Sequence, residues 1–597
     1  MPLARTNDAQ DVSAPSYRTW LTAASIAACS LTAGSIFCFP LFSPSLTRDL
    51  DLTLKQTSSI WVGAVLGEYG FAAPAGILAD RFGPRVLCIV AAALFFLGYN
   101  MMGREEAVAV AARVLRESPI SDLADSVVGT AAPIAPRHAS YLRLAFAFFL
   151  CGAGVSASYF SAVTAATRTF PNFPSLAIAL PLTLFSLSSM LLSAIGSSFF
   201  ADPLTGDLNT SAYLYFLAYM LGIVNLCAAV GMHNYKPISP SPTPERRRSV
   251  ADGSDGSDTE SEDDYHGLDE STALISSEIR PSRSSLPYLP KDSSLSSFLS
   301  APSVWAIAFI MFIAVGSCEM LMSCVGSVVE SLLGAEPEGH GQGGMTALLA
   351  LGGTLTPKLT KVVAAAPNKE WARAALEIRG TQIRLLSTMN TVSRLGSGLL
   401  ADLCAPTSMR VQQARAQGRY TFVLSRLAVI LFALCLLFVA FLYAALGFPP
   451  SSEGPTPIPA PSSTFIRLSM VSISTGLAYG LVFTLAPSIL ASAFDVSKFG
   501  RNWGLLSYAC AIGSLAYTML YASISDWVAQ SAAQAQQLLA QYASGLGVEL
   551  VHVAQKGAGQ CLSGPKCFQL TFGIAAASIL LAIATAIPLW RAWRHAL

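Results

Sequence analysis

Twelve apolar runs, each long enough to cross the hydrocarbon layer of a bilayer as a helix, leave this chain very few ways to fold. They lie at about Trp20 to Phe42, Ile60 to Ala79, Val86 to Met102, Leu142 to Val163, Leu176 to Phe199 and Tyr213 to Val230. After a long polar interval come Val304 to Val329, Thr381 to Leu400, Phe422 to Leu446, Phe465 to Ala491, Trp503 to Ile524 and Phe568 to Leu589. About 20 apolar residues rising 1.5 Å each match a hydrocarbon thickness of about 30 Å. Inside that layer every backbone N–H and C=O must be bonded within the protein, so runs of this length are expected to be helical. Charged residues make up 12% of the chain, half the usual share of a soluble domain. The expected fold class is an all-α membrane protein, twelve transmembrane helices in two six-helix bundles.

That parsing sets the organisation. A tail over 1–19 precedes a first bundle over 20–232, a linker covers 233–301, a second bundle covers 302–590, and a short tail covers 591–597. Met1 to Arg18 is polar and no small-residue cleavage site follows a short apolar core, so the first run is expected to be retained. With an even number of spans both termini share a side. Arg5, Arg18, Arg81, Arg85, Arg168, Arg246 to Arg248, Arg410, Arg415, Arg419, Lys498, Arg501, Arg591 and Arg594 fall on one face, which the positive-inside rule makes cytoplasmic.

From His233 to about Ser297 the chain turns to Ser, Pro, Asp, Glu and Arg, and too few apolar residues remain to bury a core, so the linker is expected to be disordered. It offers phosphorylatable serines after Arg246-Arg247-Arg248. It also holds Glu270-Ser271-Thr272-Ala273-Leu274-Ile275, in which Glu270, Leu274 and Ile275 fit an acidic dileucine signal of the kind adaptor complexes use to sort membrane proteins to lysosomes or vacuoles. A sorting adaptor is therefore an expected partner. Asn209-Thr210-Ser211 is the one N-x-S/T sequon, but it abuts the sixth run and is a poor glycosylation site. The stretch from Arg104 to Arg113 is expected to form a short helix at the membrane surface, and the loops over 334–380 and 528–566 also carry Ala-rich helical stretches.

A carboxylate at mid-bilayer is costly and marks function by default. Glu68, beside Tyr69 in the second run, and Glu319 in the seventh are candidates for binding a proton or a polar solute; a buried carboxylate bonded to a neighbouring hydroxyl for helix register is the other reading. Arg143 and Arg384 sit just inside the non-cytoplasmic ends, where an arginine either pairs an anion or snorkels to the interface. Tyr159, Asn390, Tyr479 and Tyr508 are candidates to line a cavity. Pro40 and Pro44 are expected to end the first span, and Gly152, Gly154, Pro181, Gly476, Gly480, Pro487 and Gly513 are expected to loosen helices around the cavity. All six histidines fall in loops without a partner at metal-ligand spacing, and no hydrolase, nucleotide or dinucleotide signature is present, so no catalytic residue, metal or cofactor is expected. A net charge of +1 gives no support for nucleic-acid binding. Cys561 and Cys567, flanking a Gly-Pro turn in a non-cytoplasmic loop, are either a disulfide or two free thiols.

Two stretches carry a resemblance. Gly76-Ile77-Leu78-Ala79-Asp80-Arg81-Phe82-Gly83-Pro84-Arg85 resembles the signature loop of major facilitator superfamily transporters, G-x-L-A-D-R-x-G-x-R. Gly398 to Asp402, which follows Arg394, repeats the pattern of Gly76 to Asp80, with Leu403-Cys404-Ala405-Pro406 in place of the basic tail. Gly476 to Pro487, Phe499 to Gly504, Gly316 to Met320 and Ala177 to Leu182 together resemble the fungal branch related to monocarboxylate transporters and nodulin-like proteins, whose members are described as probable vacuolar transporters. True monocarboxylate carriers place an Asp-Arg pair within the eighth span; Leu385 to Ser393 has neither. The resemblance implies the major facilitator fold, residence in the vacuolar membrane with both termini cytoplasmic, and a cytoplasmic gate built from Gly76, Asp80, Arg81, Gly83, Arg85, Arg394, Gly398 and Asp402, with Arg394 pairing Asp402 or Asp495. The expected function is a monomeric secondary transporter, set in membrane lipid, that moves a small polar or anionic solute by alternating access, with Glu68 or Glu319 coupling protons. The alternative is a non-transporting receptor or scaffold that signals through the linker.

Overall fold

The computed structural model describes residues 17–117, 141–170, 174–203, 205–232, 294–334, 369–404, 409–420, 423–448, 463–494, 499–545, 561 and 563–593. Among these the chain is helical apart from short turns and one isolated β-bridge, Ala201 to Leu208. The first bundle comprises α1 (Tyr17–Ala33), α2 (Phe39–Asp49), α3 (Leu54–Phe82), α4 (Pro84–Glu117), α5 (Tyr141–Thr169), α6 (Pro174–Phe199) and α7 (Thr210–Gly231). A one-turn helix α8 (Leu295–Ser300) leads into α9 (Pro302–Gly334), α10 (Lys369–Cys404), α11 (Met409–Ala416), α12 (Arg426–Ala445), α13 (Ser463–Ala493), α14 (Phe499–Gly545) and α15 (Lys566–Trp593). Eleven spans qualify by length and hydropathy. The twelfth, α10, is the least apolar of the membrane-length helices because it carries Arg379, Arg384 and Arg394.

Several elements differ from expectation. The first span is two helices joined by a 3₁₀ turn over Gly34–Cys38, and it does not end at its prolines. Pro40 lies in the first turn of α2, where a missing N–H forfeits no helical bond, and the chain stays helical past Pro44 to Asp49. The helix expected to lie on the surface over Arg104 to Arg113 instead continues α4, since Gly103 alone does not break a run whose neighbours all favour helix. In the same way α10 begins about three turns before the apolar run at Thr381, and α14 runs on unbroken to Gly545.

The glycines expected to loosen helices instead let them cross closely. A Cβ on Gly152 of α5 would stand 1.9 Å from the Ala64 carbonyl oxygen of α3, and one on Gly480 of α13 would stand 1.9 Å from Ser393 Oγ of α10. Neither helix is interrupted there. These are small-residue contacts of the kind that hold membrane helices together where no hydrophobic drive separates helix from lipid. Around them each bundle has its own apolar core, with Phe39, Phe42, Trp61, Phe148 and Tyr213 in the first and Phe441, Phe568 and Phe572 in the second. Large apolar residues such as Leu97, Phe146, Val439 and Leu581 are exposed on the outside, which is lipid-facing in a bilayer.

The bundles meet along α6 with α10, α3 with α14 and α2 with α9. On the first seam Ser186 and Thr391 hydroxyls lie 2.8 Å apart, Ser189 Oγ donates to Ser387 Oγ at 3.0 Å, and Arg384 reaches Ser197 Oγ at 3.3 Å. Toward the Asp80 turn the seams part: a Cβ at Gly70 or Gly76 of α3, Gly396 or Gly398 of α10, or Gly504 of α14 would meet no described atom within 4 Å. The molecule is therefore shut at the end carrying residues 200–209 and splayed at the end carrying Asp80.

Candidate functional site

Between the bundles lies a cavity of about 440 Å³, counting the space it opens into. That is within the range of small-molecule sites. Its walls come from both halves: Phe37 and Pro40 from the first span, Phe185, Ser186 and Ser189 from α6, Ser387 and Asn390 from α10, and Tyr479 from α13. Ser186 and Ser189 are three residues apart on α6, as are Ser387 and Asn390 on α10, so each pair shares a helix face. Aromatic rings and hydroxyls with few charges make a wall suited to a solute that is part polar, part apolar.

The charges stand one hydrogen bond behind this wall. Glu319 on α9 is 1% exposed, and its Oε1 accepts from Tyr69 Oη of α3 at 2.7 Å and from the cavity-lining Tyr479 Oη at 3.0 Å. Its Oε2 is buried and makes no hydrogen bond of good geometry among the described residues; the Ser514 hydroxyl faces it and is the group placed to donate to it. An orphaned carboxylate oxygen is costly at such depth. It is relieved by a proton on the carboxyl or by a donor arriving with a solute. Behind the other wall, Arg394 donates from Nε to Asn390 Oδ1 at 2.9 Å, and its guanidinium lies 6.0 Å from the Tyr479 ring centroid and 5.6 Å from that of Phe483. Both rings offer their quadrupole to the cation. Glu68, partly buried on α3 next to the Gly152 crossing, stands in the fields of both Glu319 and Arg394.

No model of a known protein family matches the chain. Curated relatives do: it is 26% identical to the probable transporter mch1 of Emericella nidulans over 95% of this chain and 84% of that one, and 26% identical to the Neurospora crassa protein of the same description over 96% and 88%. Among solved structures, a bacterial homologue of the human lysosomal transporter Spinster, captured inward-facing and unoccupied, superposes with a TM-score of 0.56, covering 97% of this chain and 98% of that chain at 10% identity. A mutant of the nucleoside transporter NupG superposes at 0.50 with 9% identity, covering 96% of this chain and 100% of that chain. The chain has the fold of the major facilitator transporters.

Within this fold Glu68, Tyr69, Glu319, Asn390 and Tyr479, chosen from separate runs of sequence, converge on one site. Tyr159 lies one layer out, its ring 5.7 Å from that of the cavity-lining Phe185. Arg143 does not belong to the site: its side chain is half exposed and pairs with Glu105 Oε1 at 3.1 Å. Arg394 also departs from expectation. It is held at the cavity by Asn390 and two rings, four residues short of the Gly398 repeat, while the side chain of Asp402 and all of Asp495, its expected partners, lie outside the described residues.

Among the described residues, the gate positions make no bond between the bundles at the Asp80 end. Arg81 is exposed, Arg85 donates to the Met232 carbonyl and Arg168 to the Ala79 carbonyl at 3.5 Å, all within the first bundle. Gly76 and Gly398 face open space because the bundles are drawn together at the opposite end. Gly83 ends α3 with φ +81°, a left-handed position that only glycine takes without strain. The side chains of Asp80 and Asp402, and all of Glu270, Leu274 and Ile275, lie outside the described residues. Cys561 and Cys567 are disulfide-bonded. Asn209 spends its Oδ1 capping α7 through the Ala212 N–H at 3.1 Å.

Sequence reasoning missed Ser186, Ser189, Ser387, Phe185, Phe483 and Ser514. Serine is common in membrane helices and says little alone. The available signal was spacing: polar residues three or four apart at 387, 390, 391 and 394 form a stripe on an otherwise apolar helix.

Proposed function

We propose that this protein is a secondary transporter of a small polar or anionic solute, working by alternating access in the vacuolar membrane with proton coupling. The solute occupies the cavity between Phe185 and Tyr479, and Arg394 supplies the positive field that favours an anionic group. Glu319 and Glu68 handle the proton. The observation that carries this reading is the Glu319 carboxylate, bonded through one oxygen to tyrosines of both bundles, with the other oxygen buried and making no hydrogen bond of good geometry among the described residues. A group arranged in this way is sensitive both to its proton and to the relative position of the bundles, which is what coupling requires. Vacuolar residence is supported by the acidic dileucine pattern at Glu270 to Ile275, and orientation by the arginine asymmetry.

The test is metabolite profiling of isolated vacuoles with and without the protein, followed by uptake of the solute so identified across pH. Glu68→Gln and Glu319→Gln are expected to flatten the pH dependence of uptake while leaving sorting intact. Uptake by both variants that follows pH as the unaltered protein does rejects the proton assignment, and vacuoles of unchanged content reject transport at this membrane.

A further inference from the structure

At the shut end of the molecule, three charged side chains from distant parts of the chain, Asp207, Glu330 and Arg379, are buried together, with a fourth, Arg48, half-buried beside them. Arg379 of α10 is 0% exposed; its Nη2 lies 2.6 Å from Asp207 Oδ1, and its Nη1 lies 3.3 Å from Glu330 Oε1, within ion-pair range though off hydrogen-bond geometry. Asp207 stands in the turn between α6 and α7. Its Oδ2 takes an ion pair from Arg48 at the end of α2 and a hydrogen bond from Ser45 Oγ at 3.2 Å, while Oδ1 also accepts the Leu208 N–H at 2.8 Å. Arg48 in turn lies in the field of Glu330 and pairs weakly with Asp49 at 3.7 Å. Asp207 and Arg48 belong to the first bundle, Arg379 and Glu330 to the second. The bond from Arg379 to Asp207 therefore crosses between them. Nearby, at the α2–α9 crossing, the backbones touch: a Cβ on Gly326 of α9 would stand 2.2 Å from the Pro40 carbonyl oxygen.

Removing an ion from water is expensive, and the cost is returned only while every partner is in place. Such a cluster has two good states: fully paired and buried, or fully separated and hydrated. Removing one charge from the buried state leaves another bare. We infer that Asp207 is the positioning residue of a charged latch that holds the two bundles together at this end and opens once in each transport cycle. The inference rests on the alternating-access reading. Burial pushes the Asp207 carboxyl up, but Arg379 and Arg48 outweigh it and hold it at about 2. The charged groups facing it, Arg379, Arg48, Glu330 and Asp49, thus meet an ionised carboxylate throughout the mildly acid range. The signal for opening comes from the cavity.

The experiment is a spin-label distance measurement on the full chain in lipid nanodiscs. Labels are placed at Lys55→Cys and Glu377→Cys, exposed positions on either bundle at the shut end, after the exposed Cys227 and Cys435 are changed to Ser. The unaltered latch is expected to give one dominant short distance. Asp207→Asn is expected to raise the ratio of long to short distances at least tenfold, and Asp207→Glu, which keeps the charge, is expected to hold it within threefold. An unchanged ratio in Asp207→Asn overturns the latch. If that variant does not fold, Glu330→Gln decides, because Arg379 keeps its Asp207 bond there: a shift in the same direction supports the latch and no shift overturns it. A second label pair, Phe82→Cys with Leu400→Cys at the splayed end, separates the two readings. Shortening there as the first pair lengthens supports both, whereas lengthening at the shut end alone supports the latch and rejects rocking.

Discussion

Glu319→Gln keeps the shape of the side chain and removes the charge that two tyrosine hydroxyls address, so it reads directly what the central bonds are worth. A hydrogen bond to a charged partner contributes about 1.5–3 kcal/mol, against about 1 kcal/mol for a neutral pair. Tyr69→Phe should therefore cost about 1.5–3 kcal/mol with Glu319 present and about 1 kcal/mol with Glu319→Gln in place, a coupling near 1 kcal/mol. Tyr479→Phe should couple less, because its bond is 3.0 Å against 2.7 Å for Tyr69. The Tyr69 bond also joins α3 to α9 across the bundles, while the Tyr479 bond stays within the second bundle. Only Tyr69→Phe should alter the separation of bundle-specific labels. The assay is a double-mutant cycle on unfolding of the purified protein in detergent in mildly alkaline buffer, where the carboxyl is ionised, alongside the label distances. If the tyrosine substitutions cost the same in both backgrounds, within about 0.5 kcal/mol, then Glu319 is not a charged acceptor and its role in coupling is refuted.

Further outcomes follow from other contacts. Arg394→Lys loses the bond to Asn390 Oδ1 and the stacking on Tyr479 and Phe483, and affinity for the profiled solute should fall about tenfold or more in uptake assays. Gly152→Ala forces a methyl against the Ala64 carbonyl oxygen and should cost at least about 1–3 kcal/mol, seen as a lower melting temperature; an unchanged melt rejects the α3–α5 crossing. Asp207 has its pKa lowered to about 2, below an unfolded value of about 3.9. Its contribution, on the order of 2 kcal/mol, is present in full above about pH 5 and lost as pH falls toward 2. With Glu68→Gln and Glu319→Gln in place, so that the cavity carboxyls no longer titrate, label distances at the shut end should accordingly stay constant from about pH 5 to 7.5. Cys561→Ser opens a short disulfide-closed loop of sequence separation 6 and should cost about 2 kcal/mol by chain entropy, with reduction of the unaltered protein giving the same loss.

The fold was legible because a bilayer imposes one length and one hydrogen-bonding rule on every span. Glu68 and Glu319 were legible for the same reason, since few residues so polar lie in apolar runs. What the runs did not show was where helices stop. Gly103 carried no visible cap, so α4 was expected to end where hydropathy fell, yet it continues to Glu117. The same boundary error left Arg379 in a loop, although it lies three turns inside α10 and is fully buried. The latch was illegible for a second reason: residues 48, 207, 330 and 379 share no motif, and only the packing of the two bundles makes them neighbours. Arg394 was placed at the gate because it precedes the Gly398 repeat. One more turn of helix puts it at the cavity instead.

The 47 residues of α14 form one uninterrupted rod from Phe499 to Gly545, about 70 Å long at 1.5 Å per residue. A bilayer core of about 30 Å swallows less than half of it, so a stalk of roughly 30 Å projects into the compartment on the shut side. Tilting the second bundle by about 15–20° would swing the tip of that stalk by roughly 10 Å, by simple geometry on the same helical rise. Movement hidden within the lipid is thereby displayed outside it, where an antibody fragment raised against the tip would act as a wedge on the whole cycle.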